Sequence, residues 1–101
     1  MNQNMMRQIQ KMQQEMAKAQ EDIQRFSVEG AAGGGLVTVT ITGDFRITKV
    51  TIGKDAVDPD DVETLEDLVV AASNDARAKA EAYAAQRMGS VTGGMKIPGL
   101  G

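Results

Sequence analysis

Three groups of residues in this sequence have types and spacings that carry chemical meaning. The first is a glycine run, GAAGGGLVTVTITG, from Gly30 to Gly43. A glycine-rich loop seats a phosphate when Gly-Lys-Ser/Thr closes it and a helix N-terminus follows. Here Gly33, Gly34 and Gly35 lead into Leu36 and a strand pattern, with no Lys-Ser or Lys-Thr. A dinucleotide-binding loop fails on the same topology, so the run reads as a tight or mobile connection between strands. The second group is the acid cluster Asp58, Asp60, Asp61 and Glu63. A calcium loop starting at Asp58 needs Gly at its sixth position and Glu at its twelfth. The chain has Glu63 and Val69 there, and the acids read instead as a helix start. No metal site and no cofactor is expected. Ser27, Ser73 and Ser90 have no histidine to activate them, since the chain has none, and it has no cysteine either. Without these the usual nucleophile–base pairs cannot be built. No catalytic residue is assigned, no small-molecule substrate is expected, and the chain is read as not an enzyme.

The third group is basic. Lys11, Lys18 and Arg25 recur every seven residues, and Arg7 lies one turn before Lys11. On a helix these four form one ridge. Arg77, Lys79, Arg87 and Lys96 follow in the C-terminal third, where Glu81 is the acid beyond residue 75. The formal net charge of −3 hides a segregation. Residues 55–75 hold eight acids and no Lys or Arg, and the other 80 residues carry 11 basic and 6 acidic groups. A partner feels the local field. Arg7, Lys11, Lys18 and Arg25 are therefore the first candidates for contact with a polyanion, and Arg77, Lys79 and Arg87 the second. A solvated face with internal pairs Glu15–Lys18 and Glu21–Arg25 accounts for the first ridge equally well. The aromatic residues Phe26, Phe45 and Tyr83 fall in apolar patterns, so a base-stacking platform for single strands is not expected. Double-stranded DNA, held at its phosphates with little sequence read, is the matching ligand.

The elements that must hold these residues follow from periodicity. Met5, Ile9, Met12, Met16, Ala19, Ile23 and Phe26 alternate steps of four and three, a coiled-coil-like seam opposite the basic ridge. The seam packs either on the chain's own sheet or against a second helix. Ser27–Ala31 reads as a short strand. Leu36–Thr42 alternates apolar residues with threonine as a half-buried strand does. Gly43-Asp44 suits a two-residue type II′ turn. The third strand, Phe45–Ile52, slips phase between Ile47 and Val50, which predicts a bulge near Thr48 or Lys49. Asp58 and Pro59 suit the cap and first turn of a helix reaching Met88, with Gly89 as its stop. Val62, Leu65, Val69, Ala72, Ala76 and Tyr83 share its apolar face. The expected fold class is α+β, in the order α-β-β-β-α, with a three-stranded antiparallel sheet and two long helices. One domain, 1–88, is followed by a flexible glycine-rich tail, 89–101. Helices longer than the sheet leave apolar stripes to be covered by each other or by a second copy, and a homodimer is the economical solution.

No apolar run approaches the roughly 18 residues of a membrane span, and the polar N-terminus MNQNMMRQIQKMQQEM is not a signal peptide. No membrane partner is expected, and the lack of cysteine fits a reducing cytoplasm. Four stretches, "QKMQQEMAKAQEDI", "GGGLVTVTITGDFRITKVTI", "LEDLVVAASNDARAKAE" and "MGSVTGGMKIPG", together resemble the YbaB/EbfC family of bacterial nucleoid-associated proteins over nearly the whole chain. The resemblance implies a dimer with protruding helical arms. It also implies a cytoplasmic, nucleoid-associated location, and a role in altering DNA conformation, organising the nucleoid and regulating genes. The alternative is a dimeric protein-interaction adaptor that does not bind DNA, using the acidic 55–75 face or the adaptable Met-rich seam.

Overall fold

The computed structural model describes residues 2–92. In chain order these form α1 (Gln3–Arg25), β1 (Ser27–Ala32), a 3₁₀ turn (Gly33–Gly35), β2 (Val37–Thr42), β3 (Ile47–Ile52), a second 3₁₀ turn (Lys54–Ala56) and α2 (Val62–Thr92). The strands make one antiparallel sheet in the order β1-β2-β3. This is the α-β-β-β-α arrangement expected from the sequence. The molecule measures 71 × 27 × 16 Å with a radius of gyration of 19.4 Å, well above the roughly 13 Å of a compact domain of this length.

The core is made by α2 lying on β1 and β2. Val37, Val39 and Ile41 point to the helix and meet Ala72, Ala76 and Ala80. Small residues let the helix sit close. A Cβ on Gly30 would lie 2.1 Å from the Ala76 nitrogen and 2.3 Å from the Ala72 oxygen, so only glycine fits there. The largest fully buried side chains are those of Val37 and Val39, each worth about 1.5–3 kcal/mol of burial. Such a core is thin. β3 shows why: Val50 and Ile52 pair with Val39 and Val37, and Ile47 with Ile41, so all three continue the core face. Yet α2 stops short of them, and they remain 42–54% exposed. The register shifts between Thr40 and Ile41, which leaves Thr48 as the bulged residue where the phase slip predicted one.

α1 starts at Asn2, whose side-chain oxygen accepts from the Met5 N–H at 2.9 Å. α1 and α2 run antiparallel. Phe26 packs edge-to-face on Tyr83, and Asp22 meets Arg87. The seam is therefore divided. Ala19 is buried and Ile23 and Phe26 are half-buried against the body, whereas Met5, Ile9 and Met16 are 49%, 46% and 37% exposed. The first turns of α1 form an arm.

Five local expectations need correction. The β2–β3 turn is not type II′, because Gly43 does not take a positive φ. Phe45 does, at 67°. Thr42 and Arg46 bracket a three-residue loop, with Phe45 N–H on the Thr42 carbonyl and Thr42 N–H on the Arg46 carbonyl. This is a type I turn closed by a left-handed residue, and β3 begins at Ile47 rather than Phe45. Gly43 is needed instead because a Cβ there would lie 2.0 Å from the Ile23 carbonyl oxygen. At α2, Asp58 closes its own turn through the Asp60 and Asp61 N–H groups. Asp61 is the cap, accepting from the Thr64 N–H at 3.3 Å and the Thr64 hydroxyl at 2.6 Å. Val62, at the first position, is 53% exposed and off the packed face, which Ala80 joins. Finally, α2 passes through Gly89 to Thr92. A helical glycine costs about 1 kcal/mol, and burial of Val91 offsets it. The tail expected over 89–101 is thus helical to Thr92 and otherwise lies outside the described residues, as does Lys96.

Candidate nucleic-acid interface

The basic residues sort into two groups by what their side chains already touch. Arg7, Lys11 and Lys18 stand on the exposed face of α1, and among the described residues none of them takes part in an ion pair. They sit about 140° around the helix from the Met/Ile seam. Arg25 ends this ridge with Glu21 at 2.6 Å, both side chains more than half exposed. Such an exposed pair is worth under about 1 kcal/mol and opens readily to a competing phosphate. The Glu15–Lys18 pair allowed by spacing is not formed. The ridge from Arg7 to Arg25 spans about 27 Å.

The second group is engaged elsewhere. Arg77 pairs with Glu81 at 2.7 Å and lies over the Phe45 ring, 4.8 Å from its centre. Lys79 bridges Asp75 at 3.1 Å and the Glu29 carbonyl at 3.2 Å. Arg87 is tied most firmly. Its Nε and Nη2 donate to Asp22 Oδ2 at 3.0 and 2.9 Å, and its Nη1 donates to the Ser90 hydroxyl at 2.8 Å. Arg87 and Asp22 are 24% and 37% exposed, and the pair locks α2 to α1. Each of Arg77, Lys79 and Arg87, the second set of candidates, therefore already carries a contact within the chain; the first two lie at helical spacing, whereas Arg87 meets Asp22 from 65 positions away.

Two carboxylates are shifted by these contacts. The Ala31 N–H, followed by Lys79, holds Asp75 below the ordinary aspartate range. The Thr42 hydroxyl does the same for Asp44, opposed by partial burial and helped by Arg46.

Acid and base are also separated along the molecule. From Gln3 to Gln14, α1 carries Arg7 and Lys11 and no acid. Residues 55–67, with seven acids, lie where α2 begins, at the far end of the long axis. Sequence Lys49 and Lys54, not singled out from spacing, are exposed on β3 and just after it. The glycine run joins two antiparallel strands with Gly33, Gly34 and Gly35 all at positive φ, and no helix N-terminus faces it. Among the described residues no cluster of three or more His, Cys, Asp or Glu is placed to hold a metal ion, and no helix is long and apolar enough to cross a membrane.

The model of the YbaB/EbfC DNA-binding family matches residues 1–95. A nucleoid-associated protein of Exiguobacterium sp. is 53% identical over 97 residues, covering 96% of this chain and 92% of its own. One from Alkaliphilus metalliredigens is 48% identical over 97 residues, covering 96% and 85%. The crystal structure of an uncharacterised Helicobacter pylori protein superposes with a TM-score of 0.68 at 18% identity, over 95% of this chain and 99% of that one, which shows a shared fold. With a family match over nearly its full length, the chain belongs to the YbaB/EbfC DNA-binding family, a family of DNA-binding proteins and not of enzymes.

Proposed function

We propose that this protein is a nucleoid-associated homodimer that grips duplex DNA through phosphate contacts, with little regard to sequence. Binding alters the path of the duplex, contributes to nucleoid organisation and so reaches gene regulation. The observation that carries the reading is the set Arg7, Lys11 and Lys18, exposed on one face of α1 with no ion-pair partner among the described residues. Its relatives are named nucleoid-associated proteins. Phosphate contact fits the side chains present, because Lys and Arg reach backbone oxygens and no aromatic residue lies on the ridge to read or stack a base. The homodimer is supported by the uncovered core face of β3, where Ile47, Val50 and Ile52 need a partner.

The test is a fluorescence-anisotropy titration of unrelated duplexes at several salt concentrations. Neutralising Z phosphates gives a slope of about −0.9Z in log K against log salt. Lys11→Glu with Lys18→Glu should weaken binding to every duplex alike and flatten the slope. Binding that ignores salt, or that survives both reversals unchanged, refutes the reading.

A further inference from the structure

The two flanks of α2 do different things. One carries Asp75 and Lys79 and closes the edge of β1. On the other, Val62, Glu66, Val70, Ser73 and Arg77 follow at helical spacing. Arg77 lies over the Phe45 ring, just ahead of β3, so this second flank overlooks β3. Val62 and Val70 are 53% and 59% exposed there. With Phe45, Ile47, Val50 and Ile52 they form a step whose floor is β3 and whose wall is α2. Apart from Val57, these six are all the exposed large apolar side chains outside α1 among the described residues. Val70 lies about 33 Å along α2 from Thr92, so the step is complete within residues 45–77.

The edge of β3 is open too. The Gly53 N–H bonds the Leu36 carbonyl. Alternation from that pair turns the backbone groups of Lys49 and Thr51 toward β2 and those of Val50 and Ile52 outward. Among the described residues no side chain takes up the outward groups, as Asp75 and Lys79 do for β1. A step of this shape fits itself. α2 rises above the sheet by about one helix diameter, roughly 10 Å, and sheets packed face to face also lie about 10 Å apart. A twofold axis parallel to α2 therefore lays one β3 on the other and brings each β3 edge level with the α2 of the other copy.

We propose that two copies join step in step. Val62 and Val70 of each α2 pack against the β3 edge of the other copy, and the two faces formed by Ile47, Val50 and Ile52 pack on each other. Glu66 and Ser73, between and beside the valines, offer a carboxylate and a hydroxyl to the outward N–H and C=O groups of Val50 and Ile52. The outer side of α2, with Glu63, Asp67, Asn74 and Ala78 exposed, stays in water, as its charges require. Edge-to-edge pairing of the two sheets, the other way to use β3, would hold the two α2 axes about 19 Å apart and leave Val62 and Val70 bare. The proposal rests on the homodimer reading and adds the α2 flank to it.

Val70→Asp in the full-length chain tests it, with Ala78→Asp on the outer side of α2 as control. Light scattering at micromolar concentration should show Val70→Asp as a monomer, its dimer dissociation constant raised about a hundredfold or more, and Ala78→Asp as a dimer. Both residues are exposed in the single chain, so circular dichroism should show both variants folded. The chain has no cysteine, so single substitutions give a second reading that holds even if Val70→Asp unfolds. On oxidation Val50→Cys should give a disulfide-linked dimer, and Thr51→Cys, on the outer face of the sheet, should not. A folded Val70→Asp that stays dimeric overturns the proposal. A link through Thr51 overturns it in favour of edge pairing, and the lack of a link through Val50 overturns it as well. In each of these cases a dimeric parent leaves the homodimer reading standing, whereas a monomeric parent overturns both.

Discussion

Asp75 and Lys79 close a sheet edge that would otherwise stay open. The outer edge of β1 presents the Ala31 N–H and the Glu29 carbonyl, and these two side chains take them up at 2.9 and 3.2 Å. An exposed strand edge is a template for unwanted pairing, so the pair serves the fold. A contrast of two lysines checks this. Lys79→Gln should lower Tm by about 2–4 °C and leave the salt slope of DNA binding unchanged. Lys18→Gln should leave Tm unchanged and reduce the slope by about 2, because a dimer loses one contact from each arm. The acid limb supplies a second prediction. Because folding lowers the pKa of Asp75, its stabilisation is complete above the unfolded value of about 3.9 and is lost as the pH falls through the lower folded value. Asp75→Asn should therefore lower Tm at neutral pH, and its deficit against the parent should shrink as the pH is taken down toward 2 in calorimetry. At this scale the sequence shows which residues are cationic but not which are free. Glu21–Arg25 follows from helical spacing, whereas Arg87 finds Asp22 only through the packing of two distant helices.

At the scale of elements, the fit of α2 on β1 rests on one missing side chain. Gly30→Val would push its Cβ into the backbone of Ala72 and Ala76. Backbone cannot swing aside as a side chain can, so the loss should be about 3 kcal/mol, or about 15 °C in Tm. Gly34→Asn is the control. Its φ of 68° and ψ of 25° are left-handed, Asn tolerates that region, and nothing lies within 4 Å of an added Cβ. A near-native Tm is expected. Thermal unfolding followed by circular dichroism measures both. The strands and the bulge were legible because alternation is local: Val37, Val39 and Ile41 mark one face of β2, and the slip from Ile47 to Val50 has to be absorbed at Thr48. The turns and helix ends were less so. Asp58, Asp60 and Asp61 are all acceptable caps, and only the turn that Asp58 closes on itself leaves the role to Asp61. Gly89 reads as a stop locally, yet Val91 has a buried place beyond it. Phe45 at positive φ answers to Arg77 above its ring and Ile23 behind Gly43, neither of which is near in sequence.

The whole molecule is a rod with opposite charge at its two ends and an unfinished core between them. Ile47, Val50 and Ile52 lie about half exposed on a face that is otherwise buried. Completing the burial of a half-exposed aliphatic side chain contributes on the order of 1 kcal/mol. Six such side chains in a symmetric pair supply on the order of 6 kcal/mol toward association. A dimer closed over β3 would carry two arms, and so two copies of Arg7, Lys11 and Lys18. If each of these six cations neutralises one phosphate, the salt slope is about −5, and a single chain gives about −3. Val50→Asp places a carboxylate in the middle of that face, where burial without a partner is strongly unfavourable. Light scattering at micromolar concentration should show the variant as a monomer. Its own fold should persist, because Val50 contributes little to the core beneath α2 and is 44% exposed. DNA affinity should drop by more than tenfold, since the second arm no longer binds as a tethered partner, and the slope should roughly halve. A monomeric variant that keeps the parental slope would mean that one arm supplies every phosphate contact and that the second copy serves stability alone. A variant that stays dimeric would move the interface off β3.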